Sequence, residues 1–316
     1  MQELVQQLII GLVIGATYAL IALGYTMVYG VLRLINFAHG EVYMVGAVVA
    51  WHLAGSRLVQ SSNSPALRLC IVFVGAMIAC SLLGFVIEFF AYRPLRSRPR
   101  LVVLITAIGV SLLLQNIAQL DSVFRIPVFG ATPRTMPPLI ERQTVVSFHI
   151  GASPSPVTLS NLDVLSLGLS FSLMGVLSWV VLRTRTGLAL RAVSHRVDTA
   201  ALMGVNTNRT ISFTFMLGSA LAAVAGVMDA IRYDVRPLMG LMPGLKAFIA
   251  AVLGGIGSIP GALVGALILG LVETLAKFYL PRGYTEYADG VAFVVLILIL
   301  LFKPSGLLGR QAPEKV

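Results

Sequence analysis

The sequence predicts an all-α membrane protein, a polytopic bundle with about eight spanning helices and one short broken or re-entrant helix. Of its 316 residues, 57% are hydrophobic and only 11% are charged, whereas soluble domains carry about 25% charged residues. The apolar residues also fall in runs near the length of about 20 residues that a helix needs to cross a bilayer. We expect a single transmembrane domain over residues 1–316.

The spanning helices are predicted where an apolar run is long enough for the hydrocarbon core. In chain order these runs are residues 8–30, 37–58, 67–91, 101–119, 164–182, 211–231, 261–280 and 288–302. No basic region precedes the first run, which is also too long for the apolar part of a signal peptide. It is therefore expected to remain as a helix.

A ninth apolar run, residues 245–254, is too short to span untilted and leads into a glycine-rich stretch. Broken helices are tolerated in membrane proteins where they are buried in protein or line a cavity. The sequence therefore predicts a broken helix here. Its break is marked by Gly254, Gly255, Gly257, Pro260 and Gly261.

The distribution of basic residues predicts the orientation. Residues 92–100 hold four arginines and no acid, and residues 183–210 hold five arginines against one acid, while the tail after residue 302 is also basic. Because short cytoplasmic loops are enriched in Lys and Arg, these three stretches are predicted to be cytoplasmic. The charge-balanced segment 120–163 is predicted to be external, as is the N-terminus. The net charge of +10 belongs to these loops, and we expect no binding to nucleic acid.

Small residues recur at four-residue spacing in several runs. Such stripes let helix backbones approach closely in lipid, so they predict helix packing. They are Gly11 and Gly15, then Gly218, Ala222 and Gly226, and finally Gly261 and Gly265.

The motifs of several enzyme classes are missing from the sequence. No lysine follows a glycine, which excludes a P-loop, and there is no H-E-x-x-H, G-x-S-x-G or C-x-x-C motif. The four histidines are scattered, and no metal site is expected. We predict that the chain is not an enzyme and binds no cofactor itself. Any work against a gradient must take its energy from a partner or from an ion gradient.

Charged side chains within apolar runs are rare because their burial in lipid is costly. Glu88 lies shortly before Arg93 and is expected to reach the interface or to pair locally. Glu273 precedes Lys277 by four residues, the favourable order for a pair on one helix face. Lys246, just before the broken helix, is expected to anchor at the membrane interface.

Three parts of the chain have a distinctive sequence: residues 11–47 with the core Asn36-Phe-Ala-His-Gly-Glu41, residues 91–116, and residues 191–209 together with 242–273. In this order they resemble the LivH-type permeases of branched-chain amino acid ABC importers. With the spacing between them, the three parts cover most of residues 11–306. The resemblance implies a multi-pass inner-membrane permease that moves leucine, isoleucine, valine or related hydrophobic amino acids inward.

The resemblance also implies partners. These are a second permease of the LivM type, two ATPase subunits that bind ATP and Mg, and a periplasmic binding protein that holds most of the specificity. The cytoplasmic loop of such permeases docks the ATPase. Here the segment that resembles this coupling helix consists of Asp198, Ala200, Ala201, Leu202, Met203, Gly204, Val205 and Asn206.

The coupling segment also has a physical logic of its own. Asp198 is a suitable N-cap, and Gly204 is a suitable C-terminal stop for a short helix. A helix that presents Ala201 and Met203 fits the way in which amphipathic helices enter grooves on partner proteins. The alternative is an ordinary connecting turn.

A zwitterionic amino acid that crosses an apolar bundle needs transient polar partners. The candidates are Asn36, His39, Glu41, Gln115 and Asn116. The alternative for Asn36 and His39 is that they cap the second helix and bind its neighbours.

Two other transport functions stay open at this point. One is the related urea or amide branch of ABC permeases, and the other is an ion-coupled transporter or channel that acts alone. Proton-coupled carriers usually place acids near helix midpoints, and this chain has few of them. The third class, an intramembrane enzyme, lacks a catalytic constellation.

Overall fold

The computed structural model describes residues 2–96, 98–123, 126–149, 156–281, 283–303 and 305–309. Within these residues the chain forms twelve α-helices and two small antiparallel sheets of two strands each. The prediction of an all-α bundle is confirmed. The end of the basic tail, residues 310–316, lies outside the described residues.

The helices follow one another in chain order with mostly short connections. They are α1 Gln2–Leu32, α2 His39–Ala54, α3 Arg57–Gln60, α4 Pro65–Ile87, α5 Arg100–Gln119, α6 Asn161–Arg183, α7 Arg185–His195, α8 Val197–Leu202, α9 Thr207–Arg232, α10 Leu241–Gly254, α11 Ile259–Tyr279 and α12 Ala288–Phe302. Strands β1 Ser122–Val123 and β2 Ile126–Pro127 pair, as do β3 Thr144–Phe148 and β4 Val157–Ser160.

Six of the helices in the described residues are long and apolar enough to cross a membrane: α1, α4 with its extension to Leu95, α5, α6, α9 and α11. Helices α2, α10 and α12 are shorter, at 16, 14 and 15 residues. The predicted helix over residues 37–58 is not continuous. Ser56 adopts an extended backbone and its hydroxyl donates to Leu53 O at 2.6 Å, which ends α2 and separates it from α3.

The end of α4 departs from regular α-helix. After Ile87 the chain makes a π-helical turn over Glu88–Tyr92 and then a 3-10 turn over Arg93–Leu95. Pro94 supplies the reason, because a proline lacks the N–H and its ring would meet the carbonyl of Phe90 in an α-helix. Turns of the π type inside helices are frequent at functional sites.

The contacts within the chain group it into two units. The first unit comprises Met1–Thr26, Glu141–Gly175 and Lys246–Val316, and the second comprises Met27–Ile140 and Val176–Leu245. The single domain predicted over residues 1–316 stays a prediction.

In the second unit, α9 is the central helix and packs against α2 and α4. Gly226 of α9 lies so close to α2 that an added Cβ would collide with the backbone of Tyr43 and Ala47. Gly46 of α2 faces Ala223 of α9 in the same way. Gly226, predicted from four-residue spacing to pack against a neighbour, therefore lies at a close helix crossing.

In the first unit, α1 packs on α11 through Gly15, where an added Cβ would lie 2.8 Å from Leu267 Cα. The N-terminal part of α1 lies beside β4, because the Gln6 side chain donates to Thr158 O at 3.1 Å and accepts from Thr158 N at 2.8 Å. This end of α1 therefore lies beside the end of the segment predicted to be external, and the side of the membrane on which both lie stays a prediction.

The glycine-rich stretch separates α10 from α11. Gly255 and Gly257 have φ values of +103° and +93°, a left-handed conformation that glycine adopts without steric cost. Ser258 then caps α11, since its hydroxyl accepts from Gly261 N at 3.1 Å, and Pro260 occupies the first turn. The helix is thus broken between Gly254 and Ile259, where the sequence predicts it.

We expect Gly226→Leu to lower the melting temperature of the purified chain in detergent, because there is no space for a side chain between α9 and α2. Overpacking of this kind costs about 1–3 kcal/mol. The matched control is Gly109→Leu on α5, where an added Cβ meets nothing within 4 Å. An equal shift for both variants would contradict the close crossing.

Candidate functional site

Helix α8 lies between α7 and α9, and it exposes its C-terminal end. Ala200 is buried, whereas Leu202 is 88% exposed and Met203 is 80% exposed. Ala201 and Asp198 are exposed as well. The buried alanine anchors the short helix α8 against its neighbours. The exposed leucine and methionine form an apolar surface at its C-terminal end.

The caps of α8 differ in part from the expectation. The N-cap is Arg196, without a side-chain cap bond, and Asp198 lies inside the first turn. There its carboxylate still complements the positive end of the helix. Gly204, at φ +83°, ends the helix, and its N–H donates to Ala201 O at 3.0 Å while that of Val205 donates to Ala200 O at 3.0 Å, as at glycine-terminated helices.

The next helix begins directly after this stop. Asn206 is the N-cap of α9, and its Oδ1 accepts from Arg209 N at 3.0 Å. The residues from Met203 to Asn206 are thus the whole connection between α8 and α9. Only these four residues separate the end of α8 from the start of α9.

Asn36 lies in the turn before α2 and is buried. Its Oδ1 accepts from Ala38 N at 3.1 Å and from the Tyr92 hydroxyl at 2.9 Å. The first bond stabilises the turn, although the N-cap of α2 is Ala38, without a side-chain cap bond. The second bond joins this turn to the π-helical end of α4. His39, the first residue of α2, is buried too.

Glu41 is a carboxylate almost fully buried in the second unit, at 1% exposure. Its Oε1 accepts from Gln115 Nε2 at 2.7 Å and from Ser111 Oγ at 3.4 Å. Its Oε2 has no hydrogen-bond partner among the described residues. The structure therefore brings together two of the predicted residues, Glu41 and Gln115, and adds Ser111, which lies one helical turn before Gln115.

The unpaired oxygen of Glu41 faces the start of the broken helix. Gly240 lies against the backbone of Gly40, where an added Cβ at Gly240 would collide with Gly40 O. The same added Cβ would lie 2.8 Å from Glu41 Oε2. Helix α10 begins at the next residue, Leu241. The buried carboxyl group of Glu41 thus lies at the N-terminal end of α10, where the helix dipole is positive.

Asn116 does not join this group. Its side chain is exposed and donates to Leu112 O of its own helix at 2.8 Å. Sequence analysis missed Asp229 near the end of α9, which accepts from the Tyr43 hydroxyl at 2.5 Å. The sequence signal that could have identified Asp229 is the presence of an acidic residue close to the end of the apolar run 211–231.

Comparison with known proteins places the chain in a family. Residues 7–300 match the family described as branched-chain amino acid transport system / permease component. The chain belongs to this permease family. It is 45% identical to the LivH permease of Escherichia coli K12, over 98% of this chain and 97% of that protein. It is 43% identical to the BraD permease of Pseudomonas aeruginosa, over the same shares.

A more distant member of the permease family extends the match beyond these two bacteria. The probable LivH permease of Methanocaldococcus jannaschii is 28% identical over 92% of this chain and 88% of that protein. The resemblance to LivH-type permeases is confirmed, and with its apolar helices the chain is a multi-pass membrane protein. As a permease component, it does not belong to a catalytic family.

In the first unit of this permease, a charged network joins four helices. Lys246 of α10 binds Glu273 of α11 at 2.9 Å and Asp289 of α12 at 2.7 Å. The Tyr18 hydroxyl of α1 donates to Glu273 Oε2 at 2.9 Å, and Lys277 binds Glu273 Oε1 at 2.6 Å. The expected pair of Glu273 with Lys277 is therefore present.

Lys246 is not the interface anchor that the sequence suggested, because it is only 6% exposed. Its two carboxylate partners compensate a charge that would be costly to bury alone. The broken helix is therefore held to α11 and α12 through its one lysine. In the described residues no three His, Cys, Asp or Glu side chains lie close enough together to hold a metal ion.

Proposed function

We propose that this chain is an inner-membrane permease subunit of an ABC importer. It carries leucine, isoleucine, valine or related hydrophobic amino acids into the cytoplasm and is driven by ATP hydrolysis on partner subunits. The observation that supports this most strongly is the similarity, over 98% of the chain, to permeases of high-affinity branched-chain amino acid transport systems.

The proposed partners are a LivM-type second permease, two ATPase subunits and a periplasmic binding protein. Residues 198–206 form the proposed contact with an ATPase subunit. The exposed Leu202 and Met203 support this role, because an apolar helix tip fits a groove on a soluble partner. ATP and Mg would be bound by the ATPase subunits and not by this chain.

We place the translocation pathway beside Asn36, His39, Glu41 and Gln115. Glu41 supplies the negative charge that a substrate ammonium group requires, and its Oε2 is free of hydrogen bonds from the described residues. The N-terminal end of α10 lies next to it, and half-helix N-termini suit a substrate carboxylate. Both ends of a zwitterion would find a complement there when α10 moves away from Gly40.

Reconstitution in proteoliposomes tests the function. We expect uptake of radiolabelled leucine only when the second permease, the ATPase subunits, the binding protein and ATP are all present. Uptake by this chain alone, driven by a proton or sodium gradient, would contradict the proposal in favour of an ion-coupled carrier. Uptake of urea or short amides in place of leucine would favour the urea or amide branch.

A further inference from the structure

We propose that Glu88 is a positioning residue that transmits movement of α8 to the translocation pathway. It does so by holding the end of α4 to the start of α9. The inference rests on the proposed function, since it concerns how the ATPase contact reaches the pathway. All the residues concerned belong to the second unit.

Glu88 lies at the centre of a buried polar cluster. It is the first residue of the π-helical turn and is fully buried. Arg93 binds it through two nitrogens, with Nη2–Oε2 at 3.0 Å and Nε–Oε1 at 3.3 Å, and Arg96 binds Oε1. Two guanidinium groups thus share one carboxylate, and removal of that carboxylate leaves two cations side by side.

The cluster reaches the helix that follows α8. Ser212 of α9 donates to Glu88 Oε2 at 2.7 Å and accepts from Arg93 Nη2 at 2.9 Å. Asn208, one turn earlier, accepts from Arg96 Nη1 at 2.8 Å. Asn208 is only the second residue of α9 after Thr207, so the cluster binds the first two turns beyond the α8–α9 connection.

The same turn of α4 also reaches the predicted pathway. Tyr92, the last residue of the π-helical turn, donates to Asn36 at 2.9 Å. Its ring packs on Phe215 of α9, with ring centroids 5.1 Å apart. Residues 203–206 join α8 to the start of α9. From there, contacts run through Asn208 and Ser212 to the Glu88 cluster, and the same turn of α4 reaches the turn before α2 through Tyr92.

The chemistry of Glu88 suits a coupling element better than simple packing. Charged hydrogen bonds are strong and directional. The side chains of Glu88, Arg93 and Arg96 are therefore expected to move as one group. Glu88, which contacts α9, and Tyr92, which contacts the turn before α2, are the first and last residues of the same π-helical turn. Coupling between two sites through such a network requires one element whose position both sites influence. The end of α4 is such an element, because it contacts the start of α9 on one side and the turn before α2 on the other.

The test uses the assembled importer in nanodiscs for ATP hydrolysis and in proteoliposomes for leucine uptake. Glu88→Gln keeps the shape and removes the charge. We expect wild-type binding of the ATPase subunits and near-normal hydrolysis, with leucine transported per ATP lower by about tenfold, within the usual range of coupling effects. Glu141→Gln, at an exposed acid, is the matched control and should leave the ratio unchanged.

Tyr92→Phe is the second variant, because it removes only the hydroxyl that binds Asn36. It should lower leucine transported per ATP in the same direction, while Tyr279→Phe at an exposed tyrosine should not. If Glu88→Gln fails to assemble with the ATPase subunits, the result for Tyr92→Phe tests the inference in its place. The inference would be overturned if leucine transported per ATP is unchanged in the assembled variants. This includes the case in which leucine uptake and ATP hydrolysis fall in proportion. Absence of ATP-dependent uptake by the unmodified complex would instead refute the proposed function.

Discussion

Leu202→Asp is expected to abolish capture of the ATPase subunits and, with it, ATP-dependent leucine uptake. Leu202 is 88% exposed in this chain, so its replacement should leave the fold intact. In the assembled importer it would be buried in a partner groove, where a leucine side chain contributes about 1.5–3 kcal/mol. An unpaired carboxylate in that groove carries a further desolvation cost. We expect the affinity for the ATPase subunit to fall by about a hundredfold or more.

The measurement is co-purification of the ATPase subunits with the tagged permease in detergent, followed by uptake in proteoliposomes. Leu58→Asp is the matched control, since Leu58 is also a strongly exposed leucine, at 66%, on the short helix α3. Helix α3 lies between α2 and α4, away from the proposed contact in sequence. Normal ATPase capture by Leu202→Asp would contradict the assignment of residues 198–206.

Glu41→Gln is expected to have the second large effect, a loss of uptake with the complex intact. The amide keeps the size of the side chain and can still accept a hydrogen bond from Gln115, so packing is preserved. It removes the negative charge that, in the proposed pathway, binds the substrate ammonium group. Loss of one member of a buried charged pair typically costs about 2–5 kcal/mol, which corresponds to a fall in uptake of about thirtyfold or more.

Asn116→Ala is the control for this experiment, because Asn116 is next to Gln115 in sequence but is exposed. We expect leucine uptake by Asn116→Ala to stay near the wild-type value and ATPase capture to stay normal in both variants. Equal uptake by Glu41→Gln and the unmodified complex would remove Glu41 from the pathway. Equal losses in both variants would show that the effect is not specific to the buried group.

Part of the charged network was predictable from local spacing, and part was not. Glu273 and Lys277 lie four residues apart on one helix, so their pairing follows from helix geometry alone. Lys246 is 27 residues from Glu273 and 43 from Asp289, and no local rule relates residues so far apart. The sequence therefore suggested an interface anchor, whereas helix packing buried this lysine between two carboxylates.

The candidate pathway shows the same division. Gln115 and Asn116 are consecutive polar residues at the end of one apolar run, and both were candidates. Consecutive residues of an α-helix, with 3.6 residues per turn, point in directions about 100° apart, so only one of them meets Glu41 across 74 residues of chain. Ser111 was missed because a lone serine in an apolar run carries no signal until its neighbour is known.

The positions of most of the long apolar helices, the break near Gly254 and membership of the permease family were determined by the sequence alone, whereas the interruption of the predicted helix 37–58 near Ser56 was not. These depend on hydrophobic length, on glycine and proline chemistry, and on motifs that are contiguous in the chain. The tertiary structure decided which polar groups share a site, as with Glu88, Ser212 and the two arginines, or Glu41 and Gln115. The physical reason is that burial and pairing of charge depend on which helix faces meet, and this is a property of packing between segments distant in sequence.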